Sequence, residues 1–591
     1  MSSEALPLIA PSKADRLHET IFDASTGAPG IVANELAHDP EFVPEIEQDT
    51  HPHGYGSTID PTATQDEDAD YALPPRELYL VFSSLFMGIF LAALDGTVVT
   101  TLLTVISSDL NAVSNISWIA TAYLLSCAAF QPLFGKLSDI FGRKCLIILC
   151  NICFAIGCLM STTDNVWTLV FARLVTGIGG GGMTSLATIT MSDLVSLRKR
   201  GLYQGIGNLF FGLGAASGGV MGGIVADILG WRAVFLLQAP IAIISAAFVY
   251  KYLNLPEGSP GLGYHGSDMM TKFRCVDFLG SSLLVLSVGG IMAAASLGGK
   301  EFAYNSYPFV ALLATSVLFL LAFVYVELYV SPEPTIPVRL LADRTVLCSS
   351  LANWFFTMAC YVGLYYVPIF FTSVLGNTPT QNGLRLIPNT IAASAGSLIS
   401  GIYMKKTGRY YRYIVVTSSF SVFGFFFLTQ MTPTMSNFKQ FTVLLLPTFG
   451  YSSVVTVTLL ALIAAVPASH QAATTSIQYA FRSTGSTLGV SIASAIFQHL
   501  LKARILINFD NLLRENPKLA EKYNIGEIIS KSLDNTDYIY EAPKVFRTAI
   551  RMAYSSGCHG AFYFAFGTVI LGYLSCIGMR EHTLHTSIKR K

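Results

Sequence analysis

Between Tyr79 and Met579 the chain alternates long apolar runs with short polar joints. A bilayer core is crossed by about 20 apolar helical residues. Fourteen runs approach that length: 79–105, 117–135, 145–162, 167–190, 203–227, 232–252, 277–297, 308–330, 347–374, 384–404, 412–431, 440–465, 474–497 and 558–579. Lipid leaves no partner for an open backbone polar group, so each run predicts a helix. The expected fold class is an all-α integral membrane protein.

The joint that orients the rest is Gly135–Lys144, read as a glycine-bounded turn carrying Lys136, Arg143 and Lys144. Joints leading from an even run to an odd one are basic: Arg198, Lys199 and Arg200; Lys272 and Arg274; Arg339 and Arg344; Lys405, Lys406 and Arg409. Only the stretch around His470 departs. The short joints on the other side hold little beyond Arg232, Lys300 and Lys439, with Arg385 at a run edge. Cytoplasmic loops carry the excess of Lys and Arg, so both termini are expected in the cytoplasm, Lys589-Arg590-Lys591 included. The final exterior loop, 498–557, is long and mixed in charge, with stretches that suit amphipathic surface helices. Asn115-Ile116-Ser117 is a glycosylation pattern pressed against the membrane.

Residues 1–75 are of another kind. They hold fifteen acidic residues against Lys13 and Arg16, with no periodic apolar face. This predicts a solvated, disordered cytoplasmic tail. Glu4, Leu8 and Ile9 form an acidic residue four positions before a Leu-Ile pair, which resembles the dileucine sorting signal that docks on a coat adaptor. No basic flank precedes an apolar core at the start, so no cleavable signal peptide is expected.

Composition narrows the function. The chain is 52% hydrophobic and 13% charged, about half the charged fraction of a soluble protein. Its formal net charge of zero offers no field for nucleic acid. The ten cysteines fall in or beside apolar runs, and Cys150-x-x-Cys153 lacks a second ligand pair, so neither a metal nor a disulfide framework is indicated. No nucleophile–base constellation points to an enzyme.

A repeat then appears. Gly135…Gly142-Arg143 recurs with the same spacing as Gly401…Gly408-Arg409, each after an even run. Same-orientation repeats are a plan of secondary transporters. The domains expected are the tail 1–75, a six-helix half at 79–252, an inserted pair at 277–330, a second six-helix half at 347–579 that contains the loop 498–557, and a tail at 580–591.

Asp95 and Arg173 are ionisable residues well inside their runs. Asp95 lies sixteen residues past Tyr79, about 24 Å along a helix, and Arg173 about 9 Å into its run from the exterior side. They share a depth. An intramembrane charge is a functional candidate; the other reading is an ion pair that fixes helix packing. Gln478 and Arg482, four apart, share a helix face. The glycines Gly179–Gly182 lack a phosphate-loop ending. Asp277 and Glu327 sit near cytoplasmic ends and read as structural.

Four motifs, in order and on the right runs, carry a family resemblance: the 135–144 joint; Leu94-Asp95-Gly96-Thr97-Val98-Val99; Arg173-Leu174-Val175-Thr176-Gly177-Ile178-Gly179; and Gly214…Gly218-Gly219…Gly222-Gly223. Over about 78–579 the chain resembles major facilitator superfamily transporters of the fourteen-span drug:proton antiporter group. It departs at Gly219, where that family has Pro; paired small residues also bend helices. Trp118–Leu125, Phe130–Phe134 and Gly201–Gly205 are most similar to fungal vacuolar basic amino acid transporters.

The resemblance implies a fold of two six-helix halves plus an inserted pair, rocking around a central cavity. It implies that Asp95 and Arg173 line that cavity and couple proton to substrate. Asp139, with Arg143, would gate by docking on the start of run thirteen; Arg143 and Lys144 would also anchor orientation. Gly205, Gly214, Gly218 and Gly222 would pack helices. Asn353, Trp354, Tyr361, Tyr451, Thr456, Gln478 and Arg482 are candidate substrate contacts. The function implied is proton-coupled antiport of lysine, arginine or histidine from cytoplasm into the vacuole, with no cofactor beyond the proton gradient. The partners are the bilayer, the small-molecule substrate and a sorting adaptor. The alternatives are multidrug or other cation efflux, including at the plasma membrane, and a non-transporting nutrient sensor or scaffold.

Overall fold

The computed structural model describes residues 73–110, 116–255, 259–264, 269–298, 305–331, 333–377, 379–467, 470–516, 523–534 and 538–584. The Glu4, Leu8 and Ile9 pattern, Asn115 and Lys589-Arg590-Lys591 lie outside the described residues. Among the described residues the regular elements are helices, with no strand.

In chain order they are α1 (Pro75–Asp109), α2 (Ile116–Phe130), α3 (Leu133–Phe141), α4 (Arg143–Met160), α5 (Val166–Leu194), α6 (Leu197–Leu229), α7 (Trp231–Tyr252), α8 (Met269–Arg274), α9 (Phe278–Leu297) and α10 (Tyr307–Tyr329). Then follow α11 (Arg344–Ser373), α12 (Pro379–Thr407), α13 (Tyr411–Thr429), α14 (Asn437–Thr442), α15 (Leu445–Ala464), α16 (Gln471–Glu515), α17 (Ile525–Asp534), α18 (Tyr538–Glu541) and α19 (Lys544–Gly578).

Eleven helical stretches among the described residues are long and apolar enough to cross a membrane: α1, α4, α5, α7, α9, α10, α11, α13, α14 with α15, α16 and α19. The count becomes twelve if the two arms of α6, Lys199–Gly218 and Met221–Leu229, make one crossing despite their 41° bend. That bend falls where the sequence pairs small residues, a recognised cause of kinks. The expectation of fourteen exceeds this count at two places. Run 117–135 is interrupted by Gln131-Pro132, leaving Thr121–Phe130 as a short apolar helix. Run 384–404 falls within α12, which contains Pro388 and ends on Lys405 and Lys406.

Two joints differ from the sequence expectation. Gly135–Phe141 is not a turn but most of α3, which buries Leu133, Phe134, Gly135, Ser138 and Ile140. The reversal is confined to Gly142, whose φ of 92° only glycine adopts without strain. The loop 498–557 is also largely helical. α16 runs on to Glu515, and the last helix starts at Lys544 rather than 558. Leu501, Ile505 and Phe509 of α16 bury against Phe546, Ile550 and Ala553 of α19, with the Phe509 and Phe546 rings stacked 5.0 Å apart. This apolar seam ties the last turns of α16 to the first turns of α19.

Buried side chains gather in two main cores. One draws on α1 to α7, with Phe82, Phe154 and Phe235. The other draws on α11 to α19, with Phe356, Phe370 and Phe425. A smaller cluster joins Ala128 of α2, Leu133 of α3, Val288 of α9, Phe323 of α10 and Ile477 of α16. Helix α9 therefore lies along the seam, touching both groups. Asp277 caps α9 by accepting from the Gly280 amide at 2.7 Å, and Glu327 Oε1 accepts from the amides of Thr335 and Ile336 at 3.1 and 3.3 Å.

Candidate functional site

Asp95 of α1 and Arg173 of α5 form a two-point ion pair. Arg173 Nη1 donates to Asp95 Oδ1 at 2.9 Å, and Nη2 lies 2.9 Å from Oδ2. The guanidinium sits over the Tyr123 ring at 4.8 Å and the Phe235 ring at 5.5 Å. Tyr123 is held in turn by its hydroxyl, which donates to Ala92 O at 2.8 Å. α2 approaches α5 this closely because Gly177 has no Cβ to meet the backbone of Tyr123 and the hydroxyl of Ser126. Sequence depth brought the two charges together correctly. They do not line the cavity, though: Asp95 is fully buried, enclosed by α1, α2, α5 and α7. Removing one member of such a pair strands the other, at a cost of about 3–5 kcal/mol.

The cavity lies elsewhere. It has a volume of about 160 Å³ and is walled by α6, α11, α12, α13, α15 and α16. Tyr361, Tyr451 and Arg482, three of the seven anticipated contacts, line it together with Asn208, Phe211 and Asn389. The other four form its surroundings. Asn353 Nδ2 donates to Gln478 O at 3.1 Å, and Gln478 Nε2 to Thr458 Oγ1 at 2.9 Å. Thr456 shares its hydroxyl with Ser397 at 2.5 Å. Trp354 packs against Phe355 and Phe481. Asn208 and Asn389 were missed by sequence reasoning, although an asparagine inside an apolar run was a legible signal.

The third feature is a charge cluster at the α3–α4 corner. Arg143 Nη2 lies 2.6 Å from Asp139, Nε donates to Asp193 Oδ2 at 3.0 Å, and Nη1 donates to the Ser138 hydroxyl. Arg143 is 2% exposed. It is therefore not a surface anchor; two carboxylates draw it inward. Burial pushes the Asp139 carboxyl above its usual range, with Arg143 offsetting part of the rise. The expected docking on run thirteen occurs through another residue. Gly135 meets α16, where an added Cβ would stand 2.7 Å from Ala472 O. Asp139 turns to Arg143 instead. Lys144 reaches Asn254 Oδ1 at 3.0 Å.

The chain after α7 braces this corner. Gly261 lies against the stem of Arg143, and the Tyr264 amide donates to Ile140 O at 3.2 Å. Glu333 accepts from Lys136 at 2.9 Å and from the Tyr264 hydroxyl at 2.8 Å.

The two helix groups meet on this same side of the fold. The hydroxyls of Thr188 and Tyr479 are 2.7 Å apart, and Ser483 donates to Gln131 Oε1 at 2.6 Å. Asn208 Nδ2 donates to Ser397 Oγ at 2.6 Å and to Thr456 Oγ1 at 3.3 Å. α6 crosses α12 with Gly401 against the Gly201 carbonyl and Gly205 against Ser397 O. Further along, Gly214 seats on Phe90 O, Gly218 on Thr97 and Leu94, and Gly222 on Val98. All four anticipated packing glycines thus face a neighbouring helix.

A helical bundle with a walled cavity and buried charges is the architecture of a membrane transporter, and the comparisons agree. Residues 85–490 match the Major Facilitator Superfamily. The chain belongs to that family, and it is a transporter, not an enzyme. It is 37% identical to the vacuolar membrane amino acid uptake transporter fnx2 of Schizosaccharomyces pombe, over 82% of this chain and 81% of that one. It is 33% identical to the multidrug resistance protein fnx1 of the same yeast, over 87% and 94%. It is 34% identical to the vacuolar basic amino acid transporter 2 of Saccharomyces cerevisiae, over 72% and 89%. Among solved structures it matches the human organic anion transporter MFSD10 with a TM-score of 0.54 at 14% identity, over 85% and 100%; that likeness speaks to the fold alone.

Proposed function

We propose that the protein is a proton-coupled antiporter that carries basic amino acids from the cytoplasm into the vacuole. Its chain would cross the vacuolar membrane fourteen times with both termini cytoplasmic, as two six-helix halves, 79–252 and 347–579, around the inserted pair 277–330. The names of two relatives, one a vacuolar amino acid uptake transporter and one a vacuolar basic amino acid transporter, support the substrate class and the membrane. The basic joints support the orientation.

The observation that carries the coupling is the course of α6. Its Asn208, Phe211 and Gly212 wall the cavity. Less than two turns on, Gly214 and Gly218 lie on the part of α1 that holds Asp95. A proton arriving at Asp95 neutralises it and releases Arg173. The rearranged α1 then moves α6, and α6 reshapes the cavity. Coupling in this reading is mechanical, because Asp95 does not touch the substrate. Asp139 and Arg143 hold the α3–α4 corner, where Gly135 of α3 meets α16.

The test is uptake of radiolabelled lysine, arginine and histidine into sealed vacuolar vesicles, with and without the protein, with the proton gradient intact and then collapsed. Uptake that needs both is the expected outcome. Asp95→Asn transport with an unchanged pH dependence would remove Asp95 from the coupling step. The relative named for multidrug resistance favours a second reading, efflux of drug-like cations. A lipophilic cation moving in the same vesicles, with the amino acids not moving, would select it.

A further inference from the structure

The cavity has an unusual charge for a carrier of cations. Arg482 is the one charged side chain on its wall, and no Asp or Glu is among the lining residues. Among the described residues no carboxylate lies within ion-pair distance of Arg482. The groups that face its guanidinium are neutral: Tyr361, Tyr451 and Tyr479, with the Phe211 ring 5.6 Å from its central carbon. Elsewhere in this fold the buried arginines Arg143 and Arg173 are paired with carboxylates. Arg482, partly exposed on the cavity wall, has none. The Tyr451 hydroxyl stands beside the guanidinium, within hydrogen-bonding reach of Arg482 and of Thr357.

From this arrangement we infer that Arg482 and Tyr451 form a carboxylate subsite, so that the carrier grips its substrate by the α-carboxylate rather than by the cationic side chain. This rests on the amino acid reading of the cavity and assigns its polarity. The guanidinium presents parallel N–H groups that match a carboxylate at two points. The Tyr451 hydroxyl supplies a further donor. With the carboxylate at Arg482, the cationic end of lysine or arginine is left to the other polar lining residues, among them the amide oxygens of Asn208 and Asn389. An amide oxygen has two lone pairs and can accept from an ammonium or guanidinium without a fixed negative charge. The substrate itself supplies the anion that Arg482 lacks. A cation without a carboxylate would meet an unneutralised arginine and be repelled, which is selection by an unpaired group.

The experiment uses the purified full-length chain and reads ligand affinity from the shift in thermal unfolding temperature. The probes are lysine, arginine, and the same molecules lacking the carboxylate, cadaverine and agmatine; lysine methyl ester keeps the shape and masks the charge. Lysine and arginine are expected to bind at least about tenfold more tightly than their decarboxylated or esterified counterparts, the discrimination of a charge-assisted hydrogen-bonded pair. Arg482→Gln is expected to erase that difference and Arg482→Lys to restore part of it. The wild-type series stands even if a variant fails to fold. Equal binding of lysine and cadaverine overturns the inference while leaving basic amino acid transport intact. Binding of glutamate or succinate, but not of lysine or arginine, in an Arg482-dependent way upholds the carboxylate subsite and removes the basic amino acid reading. Absence of a shift with any carboxylate overturns the subsite.

Discussion

The two copies of the glycine–arginine repeat share a backbone and differ in charge. In each, the first glycine presses a helix of one group against a helix of the other: Gly135 on α16, Gly401 on α6. In each, the second glycine ends the helix with a positive φ, 92° at Gly142 and 68° at Gly408. The arginines that follow then part company. Arg143 is buried between Asp139 and Asp193. Arg409 is exposed, and Lys405 stands at the position that Asp139 holds in the first copy. The steric half of the motif is common to both corners, and the electrostatic half belongs to one. Close approach needs only a missing Cβ, whereas a latch needs partners that come from α5 and from the chain after α7.

The largest test of that contrast is charge removal. Arg143→Gln would leave two carboxylates facing each other and is expected to cost about 3–5 kcal/mol. Arg409→Gln, an exposed change, is expected to stay within about 0.5 kcal/mol. Thermal unfolding of the two variants side by side reads the difference, and equal shifts would mean that the first corner holds no latch. The next test addresses what the copies share. Gly135→Ala and Gly401→Ala would each force a Cβ into opposing backbone, at a cost of about 1–3 kcal/mol. Both should lower the cross-linking yield of a Thr188→Cys, Tyr479→Cys pair; a loss from one alone would break the symmetry.

The smallest effect concerns pH. Burial raises the Glu333 carboxyl, but hydrogen bonds from Lys136 and Tyr264 outweigh it and hold the group below the usual glutamate range. A lowered folded value means stabilisation that is complete above the unfolded value, about 4.3, and is lost as pH falls through the folded one. Acidification below that range should loosen the brace on α3, by less than about 1 kcal/mol because the pair is partly exposed. The second copy has Ile402 where the first has Lys136 and has no such dependence. Proteolytic protection of the 259–264 segment, followed against pH in the wild type and in Glu333→Gln, checks this; identical profiles would dismiss the brace.

The apolar runs made the helices legible, because a bilayer allows few alternatives to them. The α3 corner was not, because its glycines and charges are those of a turn; what makes it helical is a buried face at Leu133, Phe134, Ser138 and Ile140 that acquires its meaning from packing. Asp95 and Arg173 could be matched by depth along their helices. Their enclosure could not, since it depends on the rings of Tyr123 and Phe235 arriving from two other helices. In the cavity, Tyr361, Tyr451 and Arg482 stood out as polar groups in apolar runs, and Asn208 and Asn389 carried the same mark. Asn353 lies about two turns from Tyr361 along α11 and Gln478 about one turn from Arg482 along α16, a distinction of depth that polarity alone does not make.

The paired extensions of α16 and α19 have a mechanical consequence. At 45 residues α16 is about 67 Å long, against about 40–45 Å for a whole bilayer. Its outer turns are bolted to α19 by the Phe509 and Phe546 stack, so the overhang moves as one body with the second helix group. It is a pointer. If that group tilts by roughly 10° about the membrane midplane, the tip near Glu515 sweeps roughly 8 Å for a helix of this rise, turning a small rotation inside the membrane into a displacement legible in water.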